Sequence, residues 1–281
     1  MLINNQEYML DLCVRMAHHS TAIEGNTLTQ DETASIILDN FIPRAIKDRE
    51  FYEVRNYKYL LPHLIEKLEQ KIKIDGELIK FFHSFIMKDL HQEAGKFKTL
   101  ENAIIGADFE TAKPYLVPTL LKDMCDDLYY KLKNSKNEEE KIKAILESHI
   151  HFEKIHPFGD GNGRTGRLLI VYSCLENNLT PIIIPKEEKA YYISCLRTNK
   201  VDEELIDFIK KIQKKEQQRI EKFKSIQNQN PYNEPKEENL PSKEINAKLD
   251  KAIKDQSARV SKPKPNYEKQ KHAKQKNREK R

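Results

Sequence analysis

The chain has 281 residues, of which 33% are charged and none is Trp, with a formal net charge of +5. That length accommodates one substantial globular domain plus an appendage. No stretch approaches a membrane span, and four widely spaced cysteines without a C-x-x-C pair point to neither zinc nor a redox couple.

Apolar stripes at spacings of three and four recur along the chain and predict amphipathic helices. In order they are Ile65, Leu68 and Ile72; then Leu78, Ile79, Phe82, Phe85 and Ile86; then Leu116, Leu120, Leu121, Met124 and Leu128. Next come Ile142, Ile145, Leu146, His149, Ile150 and Phe152, and later Leu205, Ile206, Phe208, Ile209 and Ile212. Between the last two lies an apolar run, residues 168–177, that reads as a buried helix. The expected fold is mostly α. His149 and His151 read as satisfied core or surface histidines, since no metal-ligand cluster accompanies them. The cysteines, Cys13, Cys125, Cys174 and Cys195, read as small buried hydrophobes of a reducing compartment.

After about residue 225 apolar residues nearly vanish and prolines interrupt the chain. Residues 251–281 carry 12 basic and 3 acidic residues, a net of +9, which leaves −4 on residues 1–250. The positive charge is therefore a property of the tail, which buries too little apolar area to fold alone. It implies weak attraction to nucleic acid or an anionic surface, although Tyr267 is the one aromatic available for base stacking in residues 251–281. The N-terminal residues lack the continuous apolar core of a secretory signal, so a cytoplasmic location is expected, with export by a route lacking a cleaved signal left open.

The chemistry concentrates in residues 156–167, His156-Pro-Phe-Gly-Asp-Gly-Asn-Gly-Arg-Thr-Gly-Arg167. Gly161 and Gly163 permit a tight turn, and a helix N-terminus just after it offers unpaired N–H groups and a favourable dipole to an anion. Arg164 and Arg167, three apart, present forked donors that match phosphate oxygens. Asp160 is a hard oxygen ligand suited to Mg2+ shared with phosphates. His156 titrates near neutrality when unperturbed, as a general base should.

This segment resembles the signature of the Fic family, H-P-F-x-D/E-G-N-G-R-x-x-R, at all nine defined positions. The resemblance implies a helical bundle with a short β-hairpin flap, and an enzyme that moves AMP from ATP to a Ser, Thr or Tyr hydroxyl of a target protein. By that likeness His156 deprotonates the hydroxyl, Phe158 anchors the loop and Asp160 holds Mg2+. Gly161, Asn162, Gly163 and Arg164 cradle phosphates, and Arg167 holds the γ-phosphate. Ser20-Thr-Ala-Ile-Glu24-Gly-Asn26 resembles the family's inhibitory pattern, S/T-x-x-x-E-G/N. In members that carry it, the glutamate, here Glu24, pairs with the second arginine, here Arg167.

Two further stretches resemble family segments. Gly95-Lys-Phe-Lys98 is similar to the approach to the flap, with Lys98 where an arginine is usual, and the hairpin is expected within residues 106–116. Tyr191 and Tyr192 through Asn199 are similar to a segment lining the nucleotide pocket, with Cys195 at its leucine position. There Tyr192 is expected at the pocket wall and Asn199 facing the adenine; ordinary core tyrosines remain the alternative.

The expected organisation is an N-terminal helical region with the inhibitory motif over residues 1–55, a catalytic domain over 56–225 and a basic tail over 226–281. Alternatives stay open: a same-fold transferase for another donor such as phosphocholine or UMP, an enzyme that removes AMP, or a non-enzymatic nucleotide-binding adaptor with a nucleic-acid-binding tail. Phosphoryl-transferring members place Lys at the second loop glycine, and the retained Gly163 argues against that variant.

Overall fold

The computed structural model describes residues 2–42, 44–103, 110–198 and 200–229. These residues are mostly helical, with no strand among them. Helix α1 spans Gln6–Ile23 and starts where Asn5 accepts the Tyr8 N–H. It ends in a Schellman turn, Gly25 N–H returning to Ala22 and Asn26 N–H to Thr21, which leaves Glu24 at the cap. Helix α2 (Gln30–Ala34) opens with a capping box between Thr29 and Glu32 and widens into a π-helical turn, Ser35–Asp39.

Helices α3 (Asp48–Glu69) and α4 (Gly76–Ile86) come next, then α5 (Val117–Asn134), α6 (Glu138–Ile155) and α7 (Asn162–Glu176). Helices α8 (Lys189–Thr198) and α9 (Glu203–Gln229) complete the described chain. The stripes of the sequence fall on α4, α5, α6 and α9, and Ile142, Ile145, Leu146, Ile150 and Phe152 of α6 are all buried. Ile72 lies beyond the end of α3 and is partly exposed.

Helix α7 is the centre of the architecture. Ile170, Val171, Tyr172 and Cys174 are buried on every side of it, as expected for a helix enclosed by others rather than laid on a surface. It packs against α1, α3, α4 and α6. It starts at Asn162, ahead of the apolar run, so the second half of the signature is its first turns. Glycine and asparagine are poor helix formers, but buried partners on four sides outweigh their local propensity.

The hairpin expected over residues 106–116 is not seen. Residues 110–113 are irregular and Pro114–Leu116 form a 3-10 turn into α5, while residues 104–109 lie outside the described residues. Pro114 lacks the N–H a strand ladder would need and opens the turn instead. All four cysteines are free and buried. No described helix is long and apolar enough to cross a membrane.

Candidate active site

His156 caps the C-terminus of α6 in the left-handed region, φ 49° and ψ 59°, its N–H donating to the Phe152 carbonyl. That twist turns the chain into the loop and is costly for a residue with a Cβ. Phe158 anchors the loop: it is fully buried, contributing about 1.5–3 kcal/mol of apolar burial. It stacks face to face on His83 of α4, centroids 3.6 Å apart and planes within 3°. His83 is saturated on both nitrogens: Nδ1 accepts the Gly95 N–H at 2.8 Å, so Nε2 carries the proton it donates to the Asp160 carbonyl at 2.9 Å. Burial pushes His83 down to about 4, keeping it neutral in this role.

Asn162 is spent inside the loop, its amide closing two hydrogen bonds on Phe158 N–H and C=O. Gly161 sits at φ 82° against Met87, a backbone shape and a contact that a side chain would spoil. It precedes α7 without a side-chain cap, so no capping side chain claims the first N–H groups of that helix. Lys98 ties the preceding segment to the same loop: its N–H donates to the Pro157 carbonyl and its Nζ reaches Asn102, Thr111 and the Ile155 carbonyl.

His156 itself is neutral. Its Nδ1–H donates to the Glu153 carbonyl at 3.3 Å, leaving Nε2 as the proton acceptor, and burial pushes its pKa down to about 4. Asp160 carries two guanidiniums, Arg164 on Oδ1 at 3.0 Å and Arg49 on Oδ2 at 2.9 Å. Burial works against its charge, but Arg164 and Arg49 outweigh that and hold the carboxyl below the usual range. One half-exposed carboxylate fits Mg2+, which keeps most of its waters and takes its other oxygens from phosphates. No cluster of three or more metal-ligating side chains occurs among the described residues.

The two signature arginines differ in surroundings. Arg164, 2% exposed, extends toward α3 and pairs with Glu53 at 3.0 Å as well as with Asp160. Arg167 is gripped from α1: Nε donates to Ser20 Oγ at 3.0 Å, and Nη2 to the Ser20 carbonyl at 2.9 Å and to Glu24 Oε1 at 2.6 Å. The first and fifth residues of the Ser20–Glu24 pattern therefore meet on one guanidinium. Glu24 is held charged: burial opposes ionisation, and Arg167 more than compensates.

Tyr192 lies beneath Arg167, ring centroid 5.9 Å from the guanidinium carbon, with its hydroxyl 2.8 Å from His149 Nε2. Cys195, at the leucine position, is buried on the same helix. His149 is thus a core histidine, neutral because burial pushes it down to about 3. Asn199 lies outside the described residues. Motif reading passes over Arg49, Glu53 and His83. Glu53 leaves one trace in the sequence: it lies on the same α3 stripe as Val54, Tyr57, Leu61 and Leu64, where a charge needs a partner.

The described residues are mostly helical and set a glycine-flanked turn at the start of α7 beside a neutral histidine. Residues 73–174 match the Fic/DOC family model, and the chain carries a Fic domain. It is 28% identical over 210 residues to protein adenylyltransferase fic-1 of Caenorhabditis briggsae, covering 73% of this chain and 40% of that protein. A probable protein adenylyltransferase of Aquifex aeolicus is 30% identical over 155 residues, covering 55% and 46%. Among solved structures, Fic-1 from C. elegans is similar at a TM-score of 0.63 and 27% identity, covering 79% of this chain and 65% of the other. A Fic-domain protein of Bacteroides thetaiotaomicron shares the fold at a TM-score of 0.68 and 18% identity, covering 79% and 92%. The chain spans about 40% of the length of the two Caenorhabditis relatives it matches.

Proposed function

We propose that this chain is a protein adenylyltransferase restrained by its own first helix. The observation that carries this is the Arg167–Glu24 pair at 2.6 Å beside an intact anion turn and a neutral histidine. ATP seats its phosphates on the N–H groups that open α7, and Arg167, once free, clamps the γ-phosphate. Bound at Asp160, Mg2+ would neutralise charge on the α- and β-phosphates. A Ser, Thr or Tyr hydroxyl of the target protein loses its proton to His156 Nε2 as its oxygen attacks the α-phosphorus. The bond from that phosphorus to the bridging α–β oxygen breaks, and pyrophosphate leaves. AMP stays on the target.

With Glu24 in place, Arg167 is neutralised and a γ-phosphate would meet a carboxylate, so nucleotide binds weakly or out of line. Mass spectrometry of the purified chain and its Glu24→Gly variant after incubation with ATP and Mg2+ tests both claims. A gain of one AMP, stronger in the variant, is expected. Equal labelling of the two would remove the inhibition claim, and labelling that survives His156→Ala would remove the assigned base.

A further inference from the structure

Asp160 sits in a closed ring of alternating charge. Arg49 pairs with Glu53 at 3.0 Å, Glu53 with Arg164 at 3.0 Å, Arg164 with Asp160 at 3.0 Å, and Asp160 with Arg49 at 2.9 Å. The two carboxylate oxygens of Asp160 are not equivalent within it. Oδ1 accepts from the Gly161 N–H at 2.6 Å and from Arg164, whose side chain is 2% exposed and fixed among buried groups. Oδ2 accepts from Arg49, a side chain 57% exposed on the first turn of α3. A cation at the N-terminus of a helix opposes the dipole, so this end of α3 is no resting place for Arg49 without the acids it spans.

Given a nucleotide on the α7 turn and a cation at Asp160, as proposed for this site, we propose that Arg49 is a displaceable stand-in for the divalent cation and sets the affinity of the site for it. The guanidinium neutralises Asp160 Oδ2, whose pairing lies on the exposed side of the ring, where an ion would approach. When an ion arrives, Arg49 swings away but stays paired to Glu53, which is 5% exposed and anchored separately by the Asn26 amide at 3.0 Å. Glu53 thus acts as a positioning residue with two tasks. Through Arg164 it fixes Oδ1, in the way outer-shell groups orient a metal ligand, and it receives Arg49 when Oδ2 is vacated. Asn26 lies two residues beyond Glu24, so the ring also touches the turn that carries the restraining carboxylate.

The test uses the full chain in the Glu24→Gly background, with Arg49 intact or changed to Gln or Lys. Mn2+ is titrated in the presence of a nonhydrolysable ATP analogue, and bound and free Mn2+ are read by electron paramagnetic resonance. The Arg49→Gln protein is expected to bind Mn2+ about fivefold more tightly, the size that losing an exposed ion pair sustains. Arg49→Lys keeps the charge and should stay near the parent. Unchanged or weaker Mn2+ binding in Arg49→Gln, with the parent binding normally, would overturn the role of Arg49 while leaving the nucleotide site standing. A parent that binds the analogue but no Mn2+ would overturn this role together with the assignment of Asp160. Fluorescence of the analogue without Mn2+ separates that outcome from a failure of the nucleotide site itself.

Discussion

Gly163 and Glu24 occupy adjoining space: a Cβ on Gly163 would lie 2.5 Å from Glu24 Oε1 and 2.9 Å from Arg167 Nη1. The second loop glycine therefore makes room for the Glu24 carboxylate. Glu24 stands 143 residues before the Arg167 it grips, and the missing side chain at Gly163 lets the two pack.

That contact gives a double-mutant cycle. Gly163→Ala alone forces Glu24 and Arg167 apart, an overpacking cost of about 1–3 kcal/mol. In the Glu24→Gly background the closer contact is gone and Arg167, no longer held by the carboxylate, can give way, so the cost should fall to well under half. Urea unfolding of the four proteins measures it. Equal costs in the two backgrounds would show that Gly163 and Glu24 are not coupled.

Ser20 and Glu24 share Arg167 unequally. Ser20→Ala removes one neutral acceptor and spares the Ser20 carbonyl, which still takes Nη2. Glu24→Gly removes the charge paired with Arg167, the one that competes with a phosphate on the proposed reading. Binding of a fluorescent ATP analogue should therefore tighten on the order of tenfold in Glu24→Gly and about twofold or less in Ser20→Ala. An effect of Ser20→Ala as large as that of Glu24→Gly would mean that arginine orientation, not charge, is the restraint.

His156 predicts an acid limb in the rate. Burial lowers its pKa from 6.5 to about 4, so the imidazole is already unprotonated at neutral pH. In the Glu24→Gly protein, kcat/KM should be flat with respect to His156 from about pH 8 down to about 5 and fall below that. The same depression makes His156 contribute stability above pH 6.5 that is lost as pH falls toward 4, because the unfolded chain takes up the proton first. A limb centred near 6.5 would place His156 in a solvated, unshifted setting.

The part of this site that reads from sequence is the part that is local. Twelve consecutive residues give the loop, and a six-residue pattern gives Ser20 and Glu24, because spacing within one turn or one helix end survives without knowledge of the fold. Helix α6 reads equally well, since Ile142, Ile145, Leu146, His149, Ile150 and Phe152 repeat at three or four and are buried. The ring around Asp160 does not: Arg49 and Glu53 stand 111 residues from their partners Asp160 and Arg164, and only tertiary packing brings α3 to the loop. His83 is hidden for another reason. It lies on an apolar face of α4 where a histidine reads as filler, and its two hydrogen bonds go to backbone atoms that carry no sequence signal. Glycines obscure the start of α7, because their low helix propensity points to a loop where burial makes a helix.

Glu153 offers the last test, one turn before His156 on α6. It is buried beside Gly166, its Oε1 has no hydrogen-bond partner, and burial pushes its pKa up to about 7, with Arg167 only partly offsetting. A folded-state pKa above the unfolded one means the folded chain holds this proton more tightly. Its stabilising contribution is intact below about pH 4.5 and is lost as pH rises through 7. Glu153→Gln keeps the shape and cannot ionise, so the variant should match the parent below about pH 4.5, exceed it by a gap that widens between about pH 4.5 and 7, and hold that gap above about pH 7. The gap grows by at most about 1.4 kcal/mol per pH unit. Glu176, also raised to about 7 by burial, is present in both proteins and cancels in the difference. Unfolding free energies at about pH 5, 7 and 8.5 decide it: a gap that stays constant with pH would show that Glu153 titrates alike in the folded and unfolded chain, so that burial does not shift it.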